Sequence, residues 1–560
     1  MKNYYGKYFP NPLFEREDYE LLTGEWDFAF SSETEIPVFN KKIEVPFTYE
    51  SKASGIGNES VCNHVYYRRR INIKKHSGKI YLCFEGVDYL CEVFLNAKFV
   101  GKHRGGYTPF KIDITDTVIV GENDLVVDVR DDLKGDHLCG KQRRRSENYD
   151  CWYIQTTGIW KPVWIEYCGS DILENFFIKT KNNGSVIISG KSENRLKAEI
   201  FSKGKIVAEK TTNVVNGEFN FEFEIENPDI WSAENPFLYD VRFTVLGEIK
   251  DVVKSYFGFR EIERDENGIY INGRKVFLKM ILDQGYWDET RLSAPDDDAI
   301  ERDILLTKEM GFNGIRMHQK IENAVFYYLC DKLGVYVWGE IPSAYEYCEK
   351  MKNEFIHDCD EITDNLSGHP SIIAWVVFNE SWGIPQIKNN KECQDFVSRV
   401  GKLVKEKNDG RLMIINDGWH QLDGDVLSLH EYEQNAELLK KEYNNKNYVI
   451  TDKIINENKW GHAFADGFSY SGQPIIISEY GGVSLASMDG WGYGEKAKDV
   501  EEWLNRIEEL TAVLESLPYL AGYCYTQLTD VQQETNGLLT IDRKPKADMK
   551  RIKHIFGKKK

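Results

Sequence analysis

The chain has 560 residues and a formal net charge of -19, from 71 basic and 90 acidic side chains. That length allows several domains around large cores, and the acidic balance argues against a nucleic-acid or anionic-membrane partner, either of which would need a basic face. No apolar run reaches the roughly 18 residues of a membrane span, and the aromatic, charged start MKNYYGKYFPNPLFERED has no signal-peptide core.

From Leu21 to about Gly169 short β-rich runs follow one another: GEWDFAF, KKIEVPFTY, HVYYRRRINI, KIYLCFEGV and CEVFLNAKFVGKH, with Gly and Asn between them. Even spacing without helical periodicity predicts a β jelly roll over residues 1–169. The basic run Lys141–Arg145 reads as a solvated loop rather than a site. A second β segment, with NGSVIISG, LKAEIFS, GEFNFEFEIE and FLYDVRFTVL, predicts an immunoglobulin-like sandwich over 170–260. Trp231 reads as a turn residue packed on that sandwich.

After residue 260 strand-like runs alternate with helical ones, the pattern of βα units. One helix starts at Pro295 and Asp296–Asp298, with Ile300, Ile304 and Met310 on its apolar side. Another, near Lys498–Leu517, spaces Trp503, Leu504, Ile507, Leu510 and Leu514 for one face. VFLKMILDQ, FNGIRMHQ, GVYVWGEIP, IIAWVVFNE, RLMIINDGW, DVLSLHEY, PIIISEYGG and LAGYCYTQLTD are eight strand candidates. Their number and span predict a (β/α)8 TIM barrel over 261–560.

Every one of those strands ends in polar or aromatic residues, and barrel enzymes keep their chemistry at that end. The tips carry Asp283, Gln284, Arg316, His318, Glu340, Asn379, Glu380, Asn416, Asp417, Trp419, His430, Tyr432, Glu479, Tyr480, Tyr525 and Gln527. Glu380 and Glu479 stand out because each closes a strongly apolar strand. Strands four and seven face each other across a closed mouth, where two carboxyl groups about 5–5.5 Å apart can cleave a glycosidic bond with retention. No HExxH or facial-triad spacing organises a metal. The 11 cysteines, odd in number and without CxxC spacing, read as reduced core thiols of a cytoplasmic protein. No cofactor is expected.

The chain resembles glycoside hydrolase family 2, the β-galactosidase, β-glucuronidase and β-mannosidase family, over nearly its whole length and in its domain order. VFLNAKFVGKHRGGYTPFKIDIT and TTGIWKPVWIE resemble the sugar-binding jelly roll, WVVFNES the acid/base motif, IIISEYGG the nucleophile motif, and QLTDVQQETNGLLTIDRKPK the C-terminal segment. The resemblance implies Glu380 as acid/base, Glu479 as nucleophile, Asn379 on the sugar 2-hydroxyl and Tyr432 holding Glu479. Asp150 stands near where family members send an aspartate from the first domain into the site, at slightly different spacing, so a plain loop aspartate is the other reading. Arg316 and His318 resemble an Arg-x-x-His pair but are separated by one residue, with His318 as a sugar ligand. Glu340, His430, Asp417, Trp382 and Trp419 are pocket-wall candidates, and Tyr525 replaces the family's tryptophan on strand eight.

β-Glucuronidases of the family carry Asn-x-Lys, whose lysine pairs with the sugar carboxylate; here the segment is Asn536-Gly537-Leu538. Without that cation a neutral sugar is favoured. The expected function is a retaining exo-β-glycosidase on a small glycoside or oligosaccharide, preferably a β-galactosidase, with β-glucuronidase or another glycosidase of the family as the alternative. A catalytically inactive carbohydrate-binding protein is the rival from another class, and a transglycosylase would use the same carboxylates. Sugar and linkage, aglycone, and monomer against homo-oligomer are not written in the sequence.

Overall fold

The computed structural model describes residues 5–32, 36–407, 410–451 and 462–558, so Met1 and the three residues after it lie outside. The first β unit has two main sheets and a two-stranded ribbon that pairs Val87–Asp88 with Gly158–Ile159. Six strands pair in the order Lys41–Val45, Gly24–Phe30, His64–Ile73, Gly121–Arg130, Leu90–Leu95, Lys98–Arg104, and four in the order Tyr19–Leu21, Val163–Tyr167, Ile80–Phe84, Phe110–Asp113. Alternate residues such as Trp26, Phe28, Val127 and Leu82 meet between them. The second unit packs a three-stranded sheet on a four-stranded one around Val186, Ile200, Phe221 and Phe243.

Arg16 locks these units together. It is buried, bonding Glu166 of the first unit at 2.6 Å and Asp251 of the second at 2.8 Å.

After a three-stranded antiparallel sheet over residues 262–276, the strands that follow form one eight-stranded parallel sheet. Its strands are β1 (Leu278–Asp283), β2 (Gly314–Met317), β3 (Tyr336–Glu340), β4 (Ile372–Asn379), β5 (Leu412–Asp417), β6 (Leu427–Glu431), β7 (Ile475–Gly481) and β8 (Leu520–Thr526). β-Branched and aromatic runs buried on both faces suit such a sheet. Leu278, Met280, Trp338, Val376 and Ile414 fill the interior, whereas Ile281, Ile315, Val337 and Ile477 face helices through Ile304, Leu329 and Leu510. Asp425 closes the seam between β5 and β6: its N–H donates to Met413 O at 2.7 Å and its carboxylate accepts from Met413 N at 3.0 Å.

Helix α1 (Asp297–Met310) begins at Asp296, whose side chain caps Ala299 N at 2.7 Å. The late helix spans Val500–Ser516 with Trp503, Leu504, Ile507, Leu510 and Leu514 buried. Trp231 differs from expectation. It is fully buried against the bottom of the barrel, not in the sandwich: its indole donates to Asp331 O at 2.7 Å and its ring meets Tyr336. An indole needs both an apolar wall and an acceptor, and the barrel floor supplies both. No helix among the described residues is long and apolar enough to cross a membrane.

Candidate active site

The site grows from the ends of β2, β4, β5, β6 and β7. After Asn379 the chain turns through two left-handed residues, Glu380 at φ 51 and Ser381 at φ 61. Such backbone costs about 1–2 kcal/mol per residue outside glycine. Neighbours over-determine it: Glu380 N donates to Asp417 O at 2.9 Å, and Ser381 N to Asn416 Oδ1 at 3.0 Å. On β7 the pairing register with β8 shifts between Ile477 and Tyr480. That irregularity lets two consecutive side chains face inward, because Ser478 Oγ donates to Asp417 at 2.6 Å while Glu479 reaches Arg316.

Arg316 is the hub. It is fully buried and meets Glu340 at 2.8 Å, Asp417 at 2.7 Å and Glu479 at 3.0 Å. Its Nη2 donates to Asn379 Oδ1 at 2.8 Å. Since arginine only donates, the Asn379 oxygen must face it, which leaves Asn379 Nδ2 buried without a hydrogen-bond partner. His430 sits between the carboxylates, with Nδ1 2.7 Å from Glu380 Oε1 and Nε2 3.2 Å from Asp417 and 3.4 Å from Glu479. Burial alone would discharge that imidazole, but Glu479 and Asp417 outweigh it and lift its pKa to about 10. Both ring nitrogens therefore carry a hydrogen: Nδ1 donates to Glu380, and Nε2 faces the two carboxylates at ion-pair distance without a hydrogen-bond partner.

Burial likewise opposes ionisation of Glu479, yet His430 and then Arg316 hold its pKa below the ordinary value. Tyr432 Oη adds a 2.5 Å hydrogen bond to Glu479 Oε2. Asp417 is held well below the usual carboxylate range against its burial by Arg316 and His430, and Glu340 at about 2 by Arg316 and His318. The decisive distance is between the two glutamates. One oxygen of Glu380 and one of Glu479 lie within 4.8 Å, with His430 between them.

Glu380, Glu479, Asn379, Tyr432, His430 and His318 are thus gathered at one mouth, and Trp419 packs its ring 5.7 Å from that of His430. Other expected substrate contacts fall elsewhere. Arg316 and Glu340 are wholly buried, and both Glu340 oxygens are consumed by Arg316, His318 and Gln319, so the pair positions the layer above. Asp150 is exposed, and its carbonyl, not its carboxylate, accepts from Trp491 and Gln533. Tyr525 turns away from the mouth onto Tyr480 and Phe556. Alternation requires this, because its neighbour Thr526 faces inward to Tyr432.

The basic run is not a solvated loop throughout. Lys141, Gln142 and Arg143 are buried and only Arg145 is exposed. The segment around it crosses onto the barrel, with Cys139 N and Gly140 N donating to Ser343 O. Lys141 Nζ lies 4.7 Å from the centre of the Trp382 ring. Tyr493, stacked on Tyr432 at 3.4 Å, and Glu534, which accepts from Tyr153 and Asn536, were also missed. Both lie on loops; no motif marks Tyr493, and Glu534 sits within the C-terminal segment's motif without anything there to single it out.

A parallel barrel with two carboxylates this close over a hydrogen-bonding mouth is the arrangement of a retaining glycosidase. Residues 262–560 match the model of the glycosyl hydrolases family 2 TIM barrel domain, 174–260 that of glycosyl hydrolases family 2, and 22–166 that of the family's sugar binding domain. The chain belongs to glycosyl hydrolase family 2.

It is 28% identical to a putative beta-glucuronidase of Formosa agariphila over 64% of this chain and 43% of that protein. It is 25% identical to a beta-galactosidase of Thermoanaerobacter pseudethanolicus, over 76% of this chain and 59% of the relative. The chain thus spans about half the length of these relatives. Among solved structures, Bifidobacterium dentium beta-glucuronidase complexed with coumarin-3-O-glucuronide superposes with a TM-score of 0.81 at 18% identity, covering 97% of each chain. Beta-D-glucuronidase from Dictyoglomus thermophilum gives 0.78 at 20% identity, covering 99% of each. These likenesses show the fold.

Proposed function

We propose that the protein is a retaining exo-β-glycosidase acting by double displacement. The observation that carries this is the separation of the Glu380 and Glu479 oxygens, within 4.8 Å, which leaves room for an anomeric carbon but not for an additional water. Glu479, kept ionised by His430 and Arg316, attacks that carbon as Glu380 gives its proton to the glycosidic oxygen. The carbon–oxygen bond breaks, the aglycone leaves as an alcohol, and a glycosyl ester forms on Glu479. Water then attacks the same carbon and returns a proton to Glu380, and the sugar departs with its configuration retained. Asn379 Nδ2, a buried donor without a partner, suits a sugar hydroxyl, and its desolvation is offset when that bond forms.

For the sugar, Leu538 leaves the C-terminal segment without the lysine that would pair with a sugar carboxylate, which supports a β-galactoside only where no other cation reaches the mouth. A β-glucuronide is the second reading, favoured by Lys141, a cation beside the mouth that comes from another domain. We further propose a cytoplasmic location, supported by 11 cysteines that are all unpaired. Nitrophenyl glycosides test the enzyme. Glu380→Ala should lower kcat about 10²–10⁴-fold on substrates with poor leaving groups, and Glu479→Gln should abolish turnover of every glycoside. Normal turnover by Glu479→Gln would remove the assignment.

A further inference from the structure

Five lysines are buried among the described residues: Lys141, Lys161, Lys279, Lys320 and Lys352. Four of them have oxygen partners. Lys161 donates to Glu322 O at 3.1 Å, Lys279 to Glu515 at 2.6 Å, Lys320 to Glu322 at 2.5 Å and Lys352 to Glu349 at 2.8 Å. Lys141, 6% exposed, makes no ion pair and no hydrogen bond to an oxygen among the described residues, and the polar neighbour its Nζ does have is the Cys151 thiol, which shares a hydrogen bond with it. A buried ammonium without an anion is costly and is rarely kept without a role.

Its neighbours explain why it stays charged but not what neutralises it. Burial pulls its pKa down, and the fields of Cys151, Glu534, Glu479 and Glu380 more than restore it. The Cys151 thiol is itself pushed up to about 11 by burial, so it is neutral and offers no compensating charge. Glu534 already accepts from Tyr153 and Asn536. The Trp382 indole under Nζ contributes a cation–π contact, which steadies a cation without neutralising it.

The position is fixed, not adventitious. Gly140, at φ 58, brings the preceding backbone so close to Gln319 O that a Cβ there would stand 2.2 Å from it. Lys141 O accepts from Tyr153 N at 2.9 Å. Meanwhile Leu538 is buried, and Asn536 uses both ends of its amide on Gln527 and Glu534. The C-terminal segment therefore has no cation to offer, and the first domain supplies one.

We propose that Lys141 is the specificity-determining residue that pairs with a carboxylate on the reacting sugar, so that the substrates are β-linked uronides. This rests on the glycosidase reading for its turnover but not for its recognition, and the two are tested apart. Titrate glucuronate, galacturonate and galactose into the wild type, Lys141→Met and Lys141→Arg, and assay the corresponding nitrophenyl glycosides.

A charge-assisted pair in a buried site corresponds to roughly 10–100-fold in affinity. The wild type should therefore bind a uronate at least tenfold more tightly than galactose. Lys141→Met should erase that preference and raise KM for the uronide far more than it lowers kcat, and Lys141→Arg should retain part of it. Lys141→Met should melt no lower than the wild type, since it removes an uncompensated charge, and uronate should raise the melting temperature of the wild type alone. Equal or tighter galactose binding by the wild type, or a uronate preference that survives in Lys141→Met, would overturn the proposal. Uronate binding without turnover of any glycoside would uphold recognition and remove the glycosidase reading instead.

Discussion

His430 sets the electrostatics of the mouth at the level of single residues. It touches Glu380, Asp417 and Glu479, and its pKa rises from 6.5 to about 10 on folding. A raised pKa means the folded state holds the proton more tightly, so this stabilisation is complete below pH 6.5 and is lost as pH climbs through about 10. Glu479 and Asp417, with lowered pKa values, stay ionised across that window and add no slope of their own. Denaturant midpoints from pH 6 to pH 10 should show His430→Gln well below the wild type at the acid end. The gap should close towards the alkaline end; a gap independent of pH would mean the imidazole is not charged in the folded protein.

At the level of elements, chemistry depends on irregularities at strand ends rather than on the strands themselves. The left-handed pair Glu380–Ser381 and the register shift on β7 each re-aim a side chain that regular pleating would turn away. Asn416 of β5 holds the first of these: Oδ1 accepts from Ser381 N at 3.0 Å, and Nδ2 donates to Trp419 O at 2.6 Å. Nδ2 also donates to Ser381 Oγ at 3.1 Å, so Asn416→Ala removes three bonds and leaves the Ser381 amide unsatisfied, costing about 1–3 kcal/mol of stability. Released from its support, the turn should let Glu380 drift, and kcat should fall about tenfold or more with KM little changed. Circular dichroism melts and steady-state kinetics on one preparation separate the two effects.

The whole molecule matters because one domain completes another's site. The jelly-roll segment that carries Lys141 is tied to the barrel at Ser343, Gln532 and Glu534. The jelly roll is in turn tied to the sandwich by Arg16 through Glu166 and Asp251. Removing one partner of a buried ion cluster strands the others. Arg16→Met should therefore lower the unfolding free energy by about 3–5 kcal/mol, measured by urea denaturation. Arg16 does not touch the mouth, so activity per folded molecule should persist; a variant as stable as the wild type would show the cluster to be dispensable.

Much of this was legible in the chain. Apolar β-branched runs bounded by polar tips marked all eight barrel strands, because burial on both faces leaves no other composition. Glu380 and Glu479 were visible for the same reason: a carboxylate directly after such a run has nowhere to go but the mouth. Side-chain direction beyond the last regular pleat was not legible, which is why Tyr525 was assigned to the sugar site and the ring instead faces helices. Nor did the sequence separate Arg316 and Glu340, which position, from His318, which is open to contact, since burial depth depends on the closed barrel. Lys141 looked like one more charge in a basic run. Only the docking of a jelly-roll segment onto the barrel removed it from water and left it facing the catalytic mouth, because long-range packing decides which charges lose their solvent.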